Sequence, residues 1–257
     1  MSGLVSGRRV FVTGAATGIG RATAEYLVSE GAAVFGAGLD GEEGRALAAG
    51  YAGSSPPLLF READLAVEAD VRAAVDEAKA ALGGLDAVVN CAGIYPTGKR
   101  LEDVTDAEWD RTIGVNLTAI FRVCRATLPL LRVAGGGSIV NIASVHAVST
   151  VPGVPAYAAS KAAIVGLSRQ MALDYAVDRI RVNSVLVGSV GTRMTLDGLE
   201  EAGGPEAIGL SFADNAIARI AKPREIGTVI GFLLSDAASF VTGSALLADG
   251  GLTARLL

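Results

Sequence analysis

Residues 12–32 read VTGAATGIGRATAEYLVSEGA, and the reading of this stretch decides the fold. Gly14, Gly18 and Gly20 lie between the apolar run RVFVTG (9–14) and a helical pattern near 18–30. A glycine at 14 suits a tight turn. One at 18 lets backbone N–H groups approach a phosphate, and one at 20 lets the helix pack closely on the sheet. A helix opening here turns its positive end toward an anion. Strand, glycine turn and helix together predict a dinucleotide-binding unit. The spacing is G-x-x-x-G-x-G rather than G-x-G-x-x-G. No Gly-Lys-Ser/Thr follows, which excludes a P-loop.

The same rhythm continues along the chain. Further apolar runs are AAVFGA (32–37), PLLFREAD (57–64), DAVVNCAG (86–93), SIVNIAS (138–144), IRVNSVLVG (180–188) and SALLADGG (244–251). Helical patterns fall near 41–50, 66–82, 105–132, 156–177 and 223–235. Strands rich in Val and Ile with little alternation are buried on both faces. Their alternation with helices predicts an α/β protein, a single doubly wound (Rossmann) three-layer domain over 1–257 with a mostly parallel seven-stranded sheet. The segment 192–222 breaks the rhythm after the sixth strand, where such sheets bind ligands. It reads as a substrate lid, with surface decoration as the alternative. Met194, Leu196, Leu199, Ile208 and Leu210 would suit a substrate with hydrophobic surface.

Composition closes several routes. The 257 residues are 51% hydrophobic and carry a formal charge of −5, with no basic run, so a nucleic-acid partner is not expected. One His and two Cys build neither a metal site nor a disulfide framework. Cys91 and Cys124 read as reduced core thiols. The Arg pair in GRRVFVTG lacks the apolar segment of a twin-arginine signal. The uncharged stretch 133–160 is broken by Gly, Pro and Ser, so no membrane span is expected. These features point to the cytoplasm.

The second strand ends in VFGAGLDGEEG, where a dinucleotide site reads the ribose 2′ position. Asp40 is the first acid there, and no Lys or Arg stands beside it in sequence, so NAD is favoured over NADP. Asp40 could instead cap the next helix. Asp64 could bond an adenine amino group or cap the helix that follows it. In AYAASKAAIVGLSRQMALDYA (156–176), Tyr157 and Lys161 are four apart and share a helical face. An ammonium beside a phenol favours the phenolate, which makes the pair a candidate proton-transfer unit.

TGAATGIG (13–20), NCAG (90–93), Asn116 in GVNLTAIF, Ser144 in NIASVHA and YAASK (157–161) occur in one order. With these motifs the chain resembles the short-chain dehydrogenase/reductase family from about residue 7 to 251. The resemblance implies hydride transfer between a nicotinamide cofactor and a secondary alcohol or ketone of sugar, polyol or ketone type. Tyr157 would be general acid and base, with Lys161 lowering its pKa and holding the nicotinamide ribose. Ser144 would bond the substrate oxygen, and Asn116 would order a water leading protons from Lys161. Cofactor contacts are implied at Gly14, Thr17, Gly18, Ile19 and Gly20, at Leu39 and Asp40, and at Asp64 and Leu65. They are also implied at Asn90, Ala92, Gly93, Gly188, Val190 and Thr192. Val187 stands where the family has Pro, so the nicotinamide pocket is expected to be looser or differently shaped. His146 could bond substrate or be structural. Tyr95 and Trp109 could face substrate, Trp109 being the better candidate for the core. A homotetramer or homodimer through helix 105–132 and the terminus GLTARLL is implied. The alternative reading is a non-catalytic NAD-binding regulatory or scaffold protein on the same fold.

Overall fold

Successive residues of the first strand enter different cores. In β1 (Arg9–Thr13), Phe11 packs in one hydrophobic cluster, while Val10 and Val12 pack in another. This is the period-two alternation of a strand covered on both faces. The computed structural model describes residues 3–201, 203–204 and 216–254. It repeats the alternation through β2 (Ala33–Gly38), β3 (Leu58–Glu62), β4 (Ala87–Asn90), β5 (Gly137–Ser144), β6 (Ile180–Val187) and β7 (Ala245–Ala248). The strands pair in the order β3-β2-β1-β4-β5-β6-β7, and every pairing is parallel.

On one face, α3 (Glu68–Leu82), α5 (Ala119–Val133) and α6 (Pro155–Asp174) pack around Phe11, Val88, Ile139 and Val182. On the other, α1 (Gly18–Ser29), α2 (Gly41–Gly50) and α8 (Pro223–Leu234) pack around Val10, Val34, Val89 and Val185. The expected doubly wound, three-layer fold is therefore found. Within the expected lid, α7 (Arg193–Glu201) is a helix. Ile208 and Leu210 lie outside the described residues, as do 205–215 generally and the terminal residues 255–257.

The helix expected over 105–132 is interrupted. Thr105 opens α4 (Asp106–Ile113) with a capping box to Glu108. A π-helical turn, Gly114–Thr118, then leads into α5. Turns of this kind are rare and recur at functional sites; here the turn carries the fully buried Asn116. The stretch Asp106–Val133 has the length and hydropathy of a membrane span. In this fold Ile120, Val123, Leu128 and Leu131 of α5 are spent on the core of the sheet. Trp109 corrects one expectation. It is not a core residue but 36% exposed, because α4 lies at the rim and buries only Thr112.

The strand order reverses between β1 and β4, and the crevice at their carboxyl ends is where such sheets bind ligands. Thr13 and Asn90 are in register there. Thr13 Oγ1 accepts hydrogen bonds from the N–H groups of Cys91 (2.9 Å) and Ala92 (3.2 Å), fixing the turn after β4 against the end of β1.

The opposite ends of the same two strands are pinned by charge. Arg9 Nε and Nη2 each donate to Asp86 at 2.8 Å, and the Arg9 N–H adds a third bond at 2.9 Å. Burial pushes the Asp86 carboxyl up, but the hydrogen bonds and charge of Arg9 outweigh it and hold the group below its ordinary value. A carboxyl depressed in the folded state contributes stability above its unfolded pKa, and that contribution is lost as pH falls through the folded one. Asp86→Asn is expected to cost about 1.5–3 kcal/mol at neutral pH. In urea unfolding, the gap to the unsubstituted chain should shrink as pH drops below about 4. A gap independent of pH would contradict this.

Candidate functional site

The glycine turn closes because side chains are missing from it. Gly14 has φ +65°, and a Cβ there would lie 2.9 Å from Ala92 Cα. A Cβ on Gly20 would lie 2.1 Å from the Gly14 carbonyl oxygen. Thr17 stands at the N-cap of α1 but makes no side-chain cap bond, and the first turn holds no acid. The leading N–H groups of α1 are thus left for an outside anion. Thr17 Oγ1 turns instead to Asp40, donating to Oδ2 at 3.4 Å. Asp40 makes no cap bond to α2. Asp64 caps no helix either: Oδ1 accepts from the Ala66 N–H at 2.9 Å, and α3 begins later, at Glu68.

Across the crevice, α6 starts at Pro155, whose fixed φ suits a first helical turn. It carries Lys161 inward, so that Nζ donates to the Ile142 carbonyl of β5 at 2.9 Å. Nζ stands 5.5 Å from the centre of the Tyr157 ring. Asn116 ties three elements together. Its amide accepts from the Ile94 N–H (2.8 Å), donates to the Ile94 carbonyl (3.0 Å) and donates to Ser160 Oγ (3.2 Å). Ser160 Oγ in turn donates to the Tyr157 carbonyl at 2.7 Å. Ser144, at the end of β5, accepts from the His146 N–H at 3.3 Å and donates to the Val187 carbonyl at 3.4 Å. Val187 continues β6, in register with Ser144 and Ala248.

One cavity of about 460 Å³ joins the two halves. Its wall includes Gly14, Thr17, Gly18, Ile19 and Gly20, then Leu39, Asp40, Asp64 and Leu65, then Ala92 and Gly93. It also includes Ser144, Tyr157, Lys161, Gly188, Val190 and Thr192. Two of the implied catalytic and cofactor residues are not on it. Asn116 lies behind the wall, although a Cβ on Gly93 would stand 3.2 Å from its Oδ1. Asn90 is buried below, donating to Asn141 Oδ1 at 2.8 Å and Cys124 Sγ at 3.4 Å. Sequence reasoning missed Ser160, which links Asn116 to α6, and the lining residues Ile94, Ile142 and Arg193. Nothing in the sequence marks Ser160 apart from its position within YAASK.

Two electrostatic expectations change. No base stands beside Asp40 in sequence, but the fold brings Arg193 from α7 to 3.9 Å from Asp40 and 3.4 Å from Glu43. The expected lowering of the Tyr157 pKa by Lys161 meets a larger opposing effect. Burial pushes the phenol up to about 12, with nearby Ser144 pulling it down and Tyr95 adding to the rise. Burial likewise brings Lys161 down to about 8, partly opposed by Cys91. The Cys91 thiol, raised by burial to about 12, lines the groove rather than lying wholly in the core. Dehydration, which favours neutral forms, wins over the mutual attraction of these groups.

Comparison with known proteins agrees with this architecture. The family described as enoyl-(acyl carrier protein) reductase matches residues 14–253. The chain is 42% identical over 252 residues to 2,5-dichloro-2,5-cyclohexadiene-1,4-diol dehydrogenase of Sphingobium indicum, covering 97% of this chain and 98% of that one. It is 38% identical to 3-alpha-(or 20-beta)-hydroxysteroid dehydrogenase of Mycobacterium tuberculosis, covering 100% and 93%. It is 37% identical to cyclopentanol dehydrogenase of Comamonas testosteroni, covering 98% and 100%. The crystal structure of levodione reductase superposes with a TM-score of 0.92 at 32% identity, covering 97% and 99%. None of these supports the non-catalytic alternative. The chain belongs to the short-chain dehydrogenase/reductase family and is an oxidoreductase acting on secondary alcohols.

Proposed function

We propose that the protein is an NAD-dependent dehydrogenase that interconverts a carbocyclic secondary alcohol and its ketone, with Tyr157 as general acid and base. The observation that carries this reading is the single groove, which runs from the bare N-terminus of α1 to the Tyr157 ring. The ring-bearing alcohols named for the relatives support the substrate class.

The residues present fit a nicotinamide dinucleotide. Gly14, Gly18 and Gly20 leave room for a pyrophosphate at the helix N-terminus, Asp40 and Leu39 would meet the adenosine ribose, and Asp64 and Leu65 the adenine. Lys161 would hold the nicotinamide ribose, with Ala92, Gly93, Val190 and Thr192 around it. When bound, the cofactor would exchange a hydride with the carbinol carbon and, in its oxidised form, bring a positive ring to the cleft.

In carbonyl reduction, Tyr157 Oη would give its proton to the carbonyl oxygen as negative charge develops there. A phenol kept protonated by burial is in the form needed for this step. Ser144 Oγ would donate to the same oxygen, and the Lys161 ammonium would oppose the charge left on the phenolate. Asn116, held at Ile94 and Ser160, would keep α6 and the turn after β4 in register and order a water that returns protons to Lys161. Alcohol oxidation runs the same proton the other way.

For the cofactor, Asp40 lies beside Thr17 and Arg193 is already shared between Asp40 and Glu43. Two carboxylates against one guanidinium disfavour a 2′-phosphate. A self-associated form is part of the proposal: Phe121 on α5 and Phe240 and Leu247 around β7 are exposed apolar groups.

Tyr157→Phe is expected to lower turnover of a carbocyclic alcohol by about a hundredfold or more while cofactor affinity survives. Initial rates and calorimetric titration check both, and a variant with near-normal turnover would refute the assignment. NAD is expected to bind more tightly than NADP by about tenfold. Asp40→Ala should narrow that gap, and a lower Kd for NADP in the unsubstituted chain would reverse the cofactor reading.

A further inference from the structure

We propose that Tyr95 and His146 are specificity-determining residues, which form with the Tyr157 ring an aromatic wall that receives the uncharged carbon ring of the substrate. The inference rests on the dehydrogenase reading above and assigns its substrate selectivity to two side chains outside the cofactor groove.

Three rings from three elements meet at one point. Tyr95 comes from the loop after β4, His146 from the short turn Val145–Ala147 after β5, and Tyr157 from the first turn of α6. Tyr95 and Tyr157 are 4.6 Å apart between ring centres at 74°, and His146 and Tyr157 are 5.5 Å apart at 78°. Tyr95 and His146 close the triangle at 5.7 Å. The two pairs that involve Tyr157 are the edge-to-face arrangements that aromatic quadrupoles favour, and the Tyr95–His146 pair is tilted at 49°. All three residues are half-buried, so each keeps part of its surface outward.

Tyr157 and Ser144 line the cofactor groove, but Tyr95 and His146 do not. The reactive phenol therefore stands at the boundary between groove and ring cluster. A substrate whose oxygen bonds Tyr157 and Ser144 must lay its carbon skeleton along what flanks the phenol, and these two rings are among the flanking groups. His146 is fixed in place, since Nδ1 shares a hydrogen bond of 2.9 Å with Thr150 Oγ1.

The wall is also electrically neutral. Burial raises the Tyr95 pKa and lowers that of His146, and in neither case does a charged neighbour among the described residues contribute. Both groups thereby favour their uncharged forms, so neither Tyr95 nor His146 supplies a cation for a phosphate or carboxylate. A carbocycle meets such a surface with few rotors to freeze, whereas an open chain of equal carbon count loses torsional freedom on the same surface.

The test compares cyclohexanol with 2-hexanol, with NAD as oxidant, in the unsubstituted chain and in Tyr95→Leu, His146→Leu and Tyr95→Phe. The unsubstituted chain should favour cyclohexanol in kcat/KM. Tyr95→Leu and His146→Leu should each reduce the cyclohexanol to 2-hexanol ratio about fivefold, chiefly through the KM for cyclohexanol. Tyr95→Phe, which keeps the ring, should retain the preference. An unchanged ratio in both leucine variants overturns the inference, as does loss of the preference in Tyr95→Phe. If circular dichroism shows that Tyr95→Leu does not fold, His146→Leu decides. Equal efficiency on both alcohols in the unsubstituted chain overturns the selectivity alone. Turnover of neither overturns the dehydrogenase reading and this inference together.

Discussion

Lys161 Nζ is held inside the protein, bonded to the Ile142 carbonyl at 2.9 Å and facing no carboxylate among its described hydrogen bonds and ion pairs. A buried amine without a counter-charge is costly, and a protein relieves the cost by letting the group give up its proton more readily. Here the pKa falls to about 8, low enough to ease burial and high enough to leave most of the group charged at neutrality. The rest of the site is arranged around that amine. Gly93 has no side chain where a Cβ would stand 3.6 Å from Nζ, Cys91 meets it as a neutral thiol, and Tyr157 lies one helical turn away.

The doubly wound sheet explains how such a group comes to face the glycine turn. β1 and β4 are neighbours, so the turn after β1 and the turn after β4 share one crevice, and Thr13 ties them together. β5 follows β4 in the sheet and places Ser144 on the same rim. The strand–helix crossovers therefore bring residues far apart in sequence to one groove. The interaction between Asn116 and Ser160 then fixes the helix that carries Tyr157 and Lys161.

Much of this was legible in the sequence because it depends on local signals. Strand positions follow from Val- and Ile-rich runs, and the turn at Gly14 and the helix start at Gly18 from backbone demands that few residues meet. What the sequence did not show arises from tertiary placement. The π turn at Gly114–Thr118 has no periodicity of its own to betray it. Trp109 looked like a core residue by type, yet its short helix lies at the rim. Arg193 is 153 residues from Asp40 in sequence, and only the fold makes them neighbours. The balance between dehydration and Lys161 at the Tyr157 phenol likewise depends on burial, which spacing alone does not give.

In the proposed mechanism the phenol of Tyr157 and the glycine turn serve the same bound dinucleotide. The most direct measurement is the ultraviolet titration of the Tyr157 phenolate, taken as the difference between the unsubstituted chain and Tyr157→Phe, with and without saturating NAD. The account predicts a phenol that titrates near 12 in the protein alone and falls by about one unit or more when the positive nicotinamide ring is bound beside it. A Tyr157 titration that saturating NAD leaves unmoved would contradict it.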